Sequence, residues 1–302
     1  MLSIIFAIGF SLTGPTPHTV IPSTFQDGRV FAMPLVADSM RRMVLWLDTD
    51  GSGFIRSGVV NQLHLQTATL PSGPGAYLPR FDTPDFPAIS DNHGALPVLP
   101  DADATSPVYG GIDGQLGASW FADRIWLIDY VGQQLWLDHA TPAYRSADAV
   151  PLTFDRAHRV PRIDVSVDGK AFAATLDTAA TVVLSEKAAA FLGPAALGAS
   201  LLGAPARIRA TSFIRASIAA QWHAAHPQWQ YLREGGVDRG VSLIRVPEVR
   251  VARVVFHNVW FSTRPGDDVF AGDPVDMKLG PTAYGTCRVL LDYVHDISAF
   301  QC

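Results

Sequence analysis

Two stretches of the chain set an acid and a hydroxyl side by side at the end of an apolar run: Leu47-Asp48-Thr49-Asp50-Gly51-Ser52-Gly53-Phe54-Ile55 and Leu176-Asp177-Thr178-Ala179-Ala180-Thr181-Val182-Val183. In both, a strand-like run delivers Asp-Thr into a turn of small residues, and a β-branched or aromatic run follows. A carboxylate at the end of a buried strand is costly, because desolvation penalises its charged form, so it carries a partner or a task. Two such carboxylates brought together share a proton. One then takes a proton from water while the other gives one to a substrate, which hydrolyses an amide bond without a metal or a covalent intermediate. Asp48 and Asp177 are the candidates, and either can be the base.

The elements that must position them repeat as well. Leu116-Gly117 precedes Asp129-Tyr130, and Leu279-Gly280 precedes Asp292-Tyr293, with 12 residues from the glycine to the acid in both halves. Each half therefore reads as Asp-Thr loop, variable middle, Leu-Gly, strand, Asp-Tyr, and the second half carries an insertion. Two copies predict two lobes facing each other.

With these motifs the sequence resembles the pepsin-like and retropepsin-like aspartic peptidases, whose lobes each carry an Asp-Thr-Gly loop and a later apolar-apolar-Gly packed beneath it. Asp113-Gly114-Gln115-Leu116-Gly117 and the strand to Tyr130 look like the end of a retropepsin-like lobe. The resemblance implies an all-β, bilobal pepsin-like fold, two retropepsin-like β-barrel lobes with short helices. It implies an aspartic-type endopeptidase, acid-favoured, with an Asp48/Asp177 dyad, no cofactor and no metal. Thr49 and Thr178 would tie the two loops together beneath the dyad, and Ser52 and Thr181 would bond the carboxylates from the side. A flap tyrosine is expected in the Pro-rich stretch, Tyr77 first and Tyr109 second.

Four positions depart from that pattern. Asp50 and Ala179 stand where the family has glycine, and a side chain there crowds the approach of backbone amides to the carboxylates. Asp50 is a third acid; pointing inward it raises the dyad's pKa values and suppresses activity, and pointing to solvent it changes little. Gln115 and Lys278 precede Leu-Gly where the family is apolar, and a lysine there must reach water or an acid. The alternative function is therefore a catalytically inactive relative that binds peptides in the inter-lobe cleft. A further alternative is a calcium loop over Asp48-Ile55, which matches the start of an EF-hand loop. Against it, Val59 stands where the bidentate Glu belongs and the entering segment reads as strand.

Composition bounds the rest. The 302 residues suffice for two lobes, each with its own core. With 48% apolar and 17% charged residues, 22 Pro and 25 Gly, the chain fits a compact protein of strands and turns. A net charge of −5 without a basic run excludes a nucleic-acid surface. The expected partner is a peptide or protein substrate, and the expected state a monomer. The apolar run Leu2–Leu12 is too short to span a bilayer. It reads as a candidate signal segment (1–20) for a periplasmic or secreted protein, although no Lys or Arg precedes Arg29.

Along the chain, the N-terminal lobe is read over 21–140, a linker over 141–161 and the C-terminal lobe over 162–302. Strands are expected over Arg29–Ala37 and Met43–Leu47, then strand turning to helix over Phe54–Leu65. Thr67 to Gly111 holds eight prolines and reads as a binding loop. Hairpins follow at Ile125–Tyr130 with Gln134–Leu137, and at Arg162–Val167 with Ala171–Leu176. Ser185 is the expected N-cap of a helix ending at Gly193. The extra length of the second half is placed around Ala210–Tyr231, where His223 and His226 read as packing or surface rather than metal ligands. If the last two strands form a hairpin centred between Val294 and His295, Cys287 and Cys302 face each other and a disulfide is geometrically possible; otherwise both are free thiols.

Overall fold

A computed structural model describes residues 18–104, 106–138, 149–154, 159–193, 198–199, 205–270 and 274–302. Most of the signal segment read over 1–20 lies outside these residues, but Thr19 and Val20 already form a strand, Thr19–Ile21, paired with Gln134–Leu137.

The chain forms two lobes, each with an eight-stranded sheet, joined by a six-stranded sheet to which both contribute. The joining sheet pairs the terminal hairpin of one half with that of the other: Ile125–Asp129 runs antiparallel to Arg288–Asp292. Asp129 and Asp292 close those hairpins, Asp129 Oδ1 accepting from Gly132 N at 2.7 Å and Asp292 Oδ1 from Val294 N at 3.0 Å. The acids of both Asp-Tyr pairs are thus turn-closing residues. The last hairpin has the expected centre, with Arg288 opposite Gln301, and Cys287 and Cys302 are joined in a disulfide.

Local chemistry explains the strands. Asp27-Gly28 and Asp168-Gly169 both take positive φ, 53° and 79°, then 51° and 74°, the backbone of a two-residue hairpin turn whose twist matches the strands it joins. In Pro161–Val167 alternate side chains Ile163, Val165 and Val167 are buried and Asp164 is exposed, the period of a half-buried strand. The linker read over 141–161 contains two such elements. Ala149–Pro151 extends the joining sheet, and Thr153–Phe154 begins the second lobe's sheet.

At the centre of each lobe three strands cross in the same way. Leu45–Leu47 runs parallel to Gly114–Leu116, which runs antiparallel to Phe54–Arg56. Lys170–Leu176 runs parallel to Met277–Leu279, which runs antiparallel to Ser212–Ile214. By register Phe54-Ile55-Arg56 corresponds to Phe213-Ile214-Arg215, an echo too short to stand out in the sequence. Arg56 Nη1 bonds Ile112 O at 3.4 Å and Arg215 Nε bonds Val275 O at 2.9 Å, at matching positions.

That correspondence corrects the place of the insertion. Phe54 follows Asp48 by six positions and Phe213 follows Asp177 by 36, so most of the added length lies immediately after the Asp177 loop. It comprises Thr181–Val183, the helix Glu186–Leu192 and Ile208–Ala210, with the first and last paired. Ser185 caps that helix, accepting from Ala188 N at 3.2 Å. The helix Ala216–Ala225, expected to be the insertion, is the longer counterpart of Ser57–Gln62 in the first lobe. Its His223 stacks on Tyr231 and His226 on Trp229, both with centroids 4.0 Å apart.

Candidate active-site cleft

Asp48 and Asp177 sit at the ends of the two central strands, each anchored from below. Asp48 N donates to Leu116 O at 2.9 Å and Asp177 N to Leu279 O at 3.0 Å, so each Leu-Gly carries the loop of its own lobe. The glycines are required there. A Cβ on Gly117 would overlap the Gly51 carbonyl oxygen, and one on Gly280 the Thr211 carbonyl oxygen, backbone atoms with nowhere to move.

The threonines cross between the lobes. Thr49 N donates to Thr178 Oγ1 at 3.1 Å, and Thr178 N to Thr49 Oγ1 at 3.1 Å. Each hydroxyl then donates to a carbonyl of the opposite lobe, Thr49 Oγ1 to Leu176 O at 2.5 Å and Thr178 Oγ1 to Leu47 O at 2.9 Å. Four bonds among buried groups fix the two acidic loops relative to each other.

Side chains at positions 50 and 179 do not keep backbone amides from the acids: Asp50 N reaches Asp48 Oδ1 at 3.0 Å, and Ala179 N reaches Asp177 Oδ1 at 2.9 Å. Asp50 points inward, its side chain 5% exposed, and its Oδ2 lies 2.5 Å from Lys278 Nζ. The same oxygen accepts from Thr175 Oγ1 at 3.0 Å. Lys278 is thus satisfied by an acid of the opposite lobe. Its counterpart Gln115 donates from Nε2 to Asp48 Oδ2 at 2.6 Å. Ala179, the counterpart of Asp50, packs in an apolar cluster with Phe31, Trp46 and Ile112. The pseudo-symmetric positions are therefore polar on one side and apolar on the other.

The supporting residues read as Ser52 and Thr181 divide. Thr181 is buried and lines the cleft, whereas Ser52 is exposed. Neither hydroxyl bonds a carboxylate among the described residues, and Gln115 takes that place on Asp48. The two candidate tyrosines also part company. Tyr77 lines a separate cavity with Phe81, Phe86 and His93. Tyr109 lines the cleft, its ring 5.4 Å from Phe54 and 6.2 Å from Trp46. Both tyrosines lie in the Pro-rich stretch, and only tertiary packing separates them.

Between the lobes the cleft has a volume of about 360 Å³, walled by Trp46, Val108, Tyr109, Phe213 and Val269 and floored by Asp48, Asp50, Asp177 and Lys278. Burial pushes the carboxyl pKa values of all three acids up to about 7. A neighbouring carboxylate adds to this in each case: Asp50 acts on Asp48, Asp177 on Asp50, and Asp48 on Asp177. The Lys278 ammonium pulls each the other way and does not outweigh burial. Tyr109 is also raised, by burial and then by Asp48.

The calcium reading of Asp48-Ile55 fails on this geometry. A strand enters the loop, Asp48 is engaged by Asp50 N and Gln115, and an ammonium occupies the side of Asp50 that a cation would need. Among the described residues no cluster of three His, Cys, Asp or Glu side chains could hold a metal ion, and no helix is long and apolar enough to cross a membrane.

No family model and no curated protein matches the sequence. Among solved structures, basic 7S globulin from soybean aligns over 95% of both chains with 9% identity and a TM-score of 0.47. Conglutin gamma, a basic 7S globulin from lupine seeds, aligns over 95% of both chains with 12% identity and a TM-score of 0.50. At such identity the likeness speaks for a pepsin-like fold alone and does not extend to the retropepsin-like family. The architecture is all-β, two-lobed and pepsin-like.

Proposed function

We propose that the chain is a pepsin-like protein that holds an extended peptide in its inter-lobe cleft without hydrolysing it. The observation that carries this reading is the Asp50–Lys278 ion pair at 2.5 Å on the cleft floor. Dyad chemistry needs two carboxylates sharing one proton around a water that both reach. Here Asp48 and Asp177 share their floor with a third acid and a fixed ammonium, and Gln115 bonds Asp48 alone. The surroundings of the two acids are unequal, and side chains fill space that glycine would leave open. The aromatic and aliphatic walls with a few polar groups suit ligand retention.

A second reading, aspartic-type endopeptidase cleavage by Asp48 and Asp177, is favoured by the four threonine bonds and by the amides on each carboxylate. With carboxyl groups raised to about 7, its ionised base would be available near neutral pH rather than in acid. The Cys287–Cys302 disulfide supports an oxidising compartment, periplasmic or extracellular.

One experiment separates the two. The protein is mixed with peptides of digested casein from pH 4 to 8, with bound peptide measured by pull-down and new termini by mass spectrometry. Retention without new termini supports the binding reading. Cleavage that Asp48→Asn and Asp177→Asn each abolish would replace it with the peptidase, and neither retention nor cleavage refutes both.

A further inference from the structure

Outside the acidic cleft, the second lobe holds another cavity of about 390 Å³, built by the insertion that follows Asp177. Its apolar walls include Val182 from the insertion's first strand and Leu184 just after it, Leu192 from its helix, and Leu243 and Trp260 from the long hairpin Leu243–Val251 with Val254–Ser262. Two arginines, Arg209 and Arg245, line the same cavity, and among the described residues no acid does. Arg245 stands directly opposite Trp260 in the strand register. Its Nη1 donates to Gln230 Oε1 at 3.0 Å, its Nε is buried without an acceptor, and no carboxylate pairs with it among the described residues. Arg209 lies within electrostatic reach of Asp27.

A guanidinium beside apolar walls and without an anion of its own is an incomplete arrangement: the walls favour hydrocarbon, and the charge favours a carboxylate that its planar fork matches. The volume lies in the range of small-molecule sites. We propose that this cavity binds an amphipathic carboxylate. A short acyl chain lies against Leu184, Leu192, Leu243 and Trp260, and the carboxylate meets Arg245, with Arg209 as a second positive charge. The site is separate from the peptide cleft and does not depend on what that cleft does.

Calorimetric titration of the full chain with octanoate, 1-octanol and octylamine tests this. Octanoate is expected to bind about ten-fold or more tightly than octanol, and octylamine more weakly than either. Arg245→Gln should reduce octanoate to the affinity of octanol while leaving octanol binding unchanged, which also shows that the cavity is intact. Arg253→Gln, an exposed control, should change nothing. Should Arg245→Gln fail to fold, Phe191→Glu at the exposed rim should weaken octanoate selectively. Equal affinity for acid and alcohol, no octanoate binding up to about 5 mM, or octanoate binding indifferent to Arg245→Gln, or to Phe191→Glu where that variant is used in its place, would overturn the proposal.

Discussion

The carboxylate of Asp50, on a loop of the first lobe, lies 2.5 Å from the ammonium of Lys278, on a central strand of the second. Their side chains are 5% and 11% exposed, so the pair is buried and each charge depends on the other. Removing one partner of a buried pair strands the other charge and typically costs about 3–5 kcal/mol, whereas removing both with apolar replacement is far less harmful. Lys278→Met is expected to lower unfolding stability by about that amount. Urea denaturation of the single variants and of Asp50→Ala with Lys278→Met checks the coupling: the double variant should be more stable than Lys278→Met alone. Costs that simply add would show that the two residues act independently.

Stability should also depend on pH with a definite sign. Asp48, Asp50 and Asp177 have carboxyl pKa values raised from 3.8 to about 7 in the folded chain. Between those values the folded state binds more protons than the unfolded one, so stability falls as pH rises. The acids' contribution is fully present below about pH 4 and is lost as pH passes through 7. The melting temperature is therefore expected to fall between pH 5 and pH 8, and Asp177→Asn should flatten that slope. A melting temperature that rises over this interval would show that these three acids do not dominate the titration.

The threonine ties act as one unit. Thr49→Val keeps the shape but removes an acceptor from Thr178 N and a donor from Leu176 O, both in buried surroundings. Each unsatisfied buried group costs about 1–3 kcal/mol, so Thr49→Val and Thr178→Val should each destabilise by a few kcal/mol. The two hydroxyls make separate pairs of bonds but hold the same two loops together, so loosening the loops by one substitution weakens the pair that remains and the double variant should lose less than the sum. Chemical denaturation of the two singles and the double gives the cycle.

What the sequence makes legible is what the backbone demands. Gly117 and Gly280 stand out because any side chain there meets a backbone carbonyl, that of Gly51 or of Thr211, and Asp168-Gly169 because its turn needs positive φ. Local rules of this kind leave a mark in residue type. The position of the insertion did not, because Phe54-Ile55-Arg56 and Phe213-Ile214-Arg215 are short, and their equivalence rests on pairing with strands far along the chain. Asp50 is similar. Whether it points to solvent or inward is decided by Thr175 and Lys278 in the other lobe, and nothing near Asp50 in sequence reports them. Tyr77 and Tyr109 look alike in a Pro-rich stretch, and only the packing of Tyr109 on Trp46 and Phe54 brings one of them to the cleft.

The disulfide between Cys287 and Cys302 ties the two ends of the last hairpin, whose strands carry the seam between the lobes. It closes a loop with a sequence separation of 15, and a crosslink of that length removes unfolded-state entropy worth about 3 kcal/mol. Cys287 is fully buried and Cys302 exposed, so substitution at 287 also disturbs packing and the cleaner variant is Cys302→Ser. Its unfolding free energy should drop by about 2–4 kcal/mol, and treatment of the native chain with a thiol reductant should give the same loss. Arg288–Asp292 pairs directly with Ile125–Asp129 of the first half, so the loss should appear in the cooperative transition of the whole chain. A separate early transition confined to the C-terminal hairpin would show that the seam holds without the bridge.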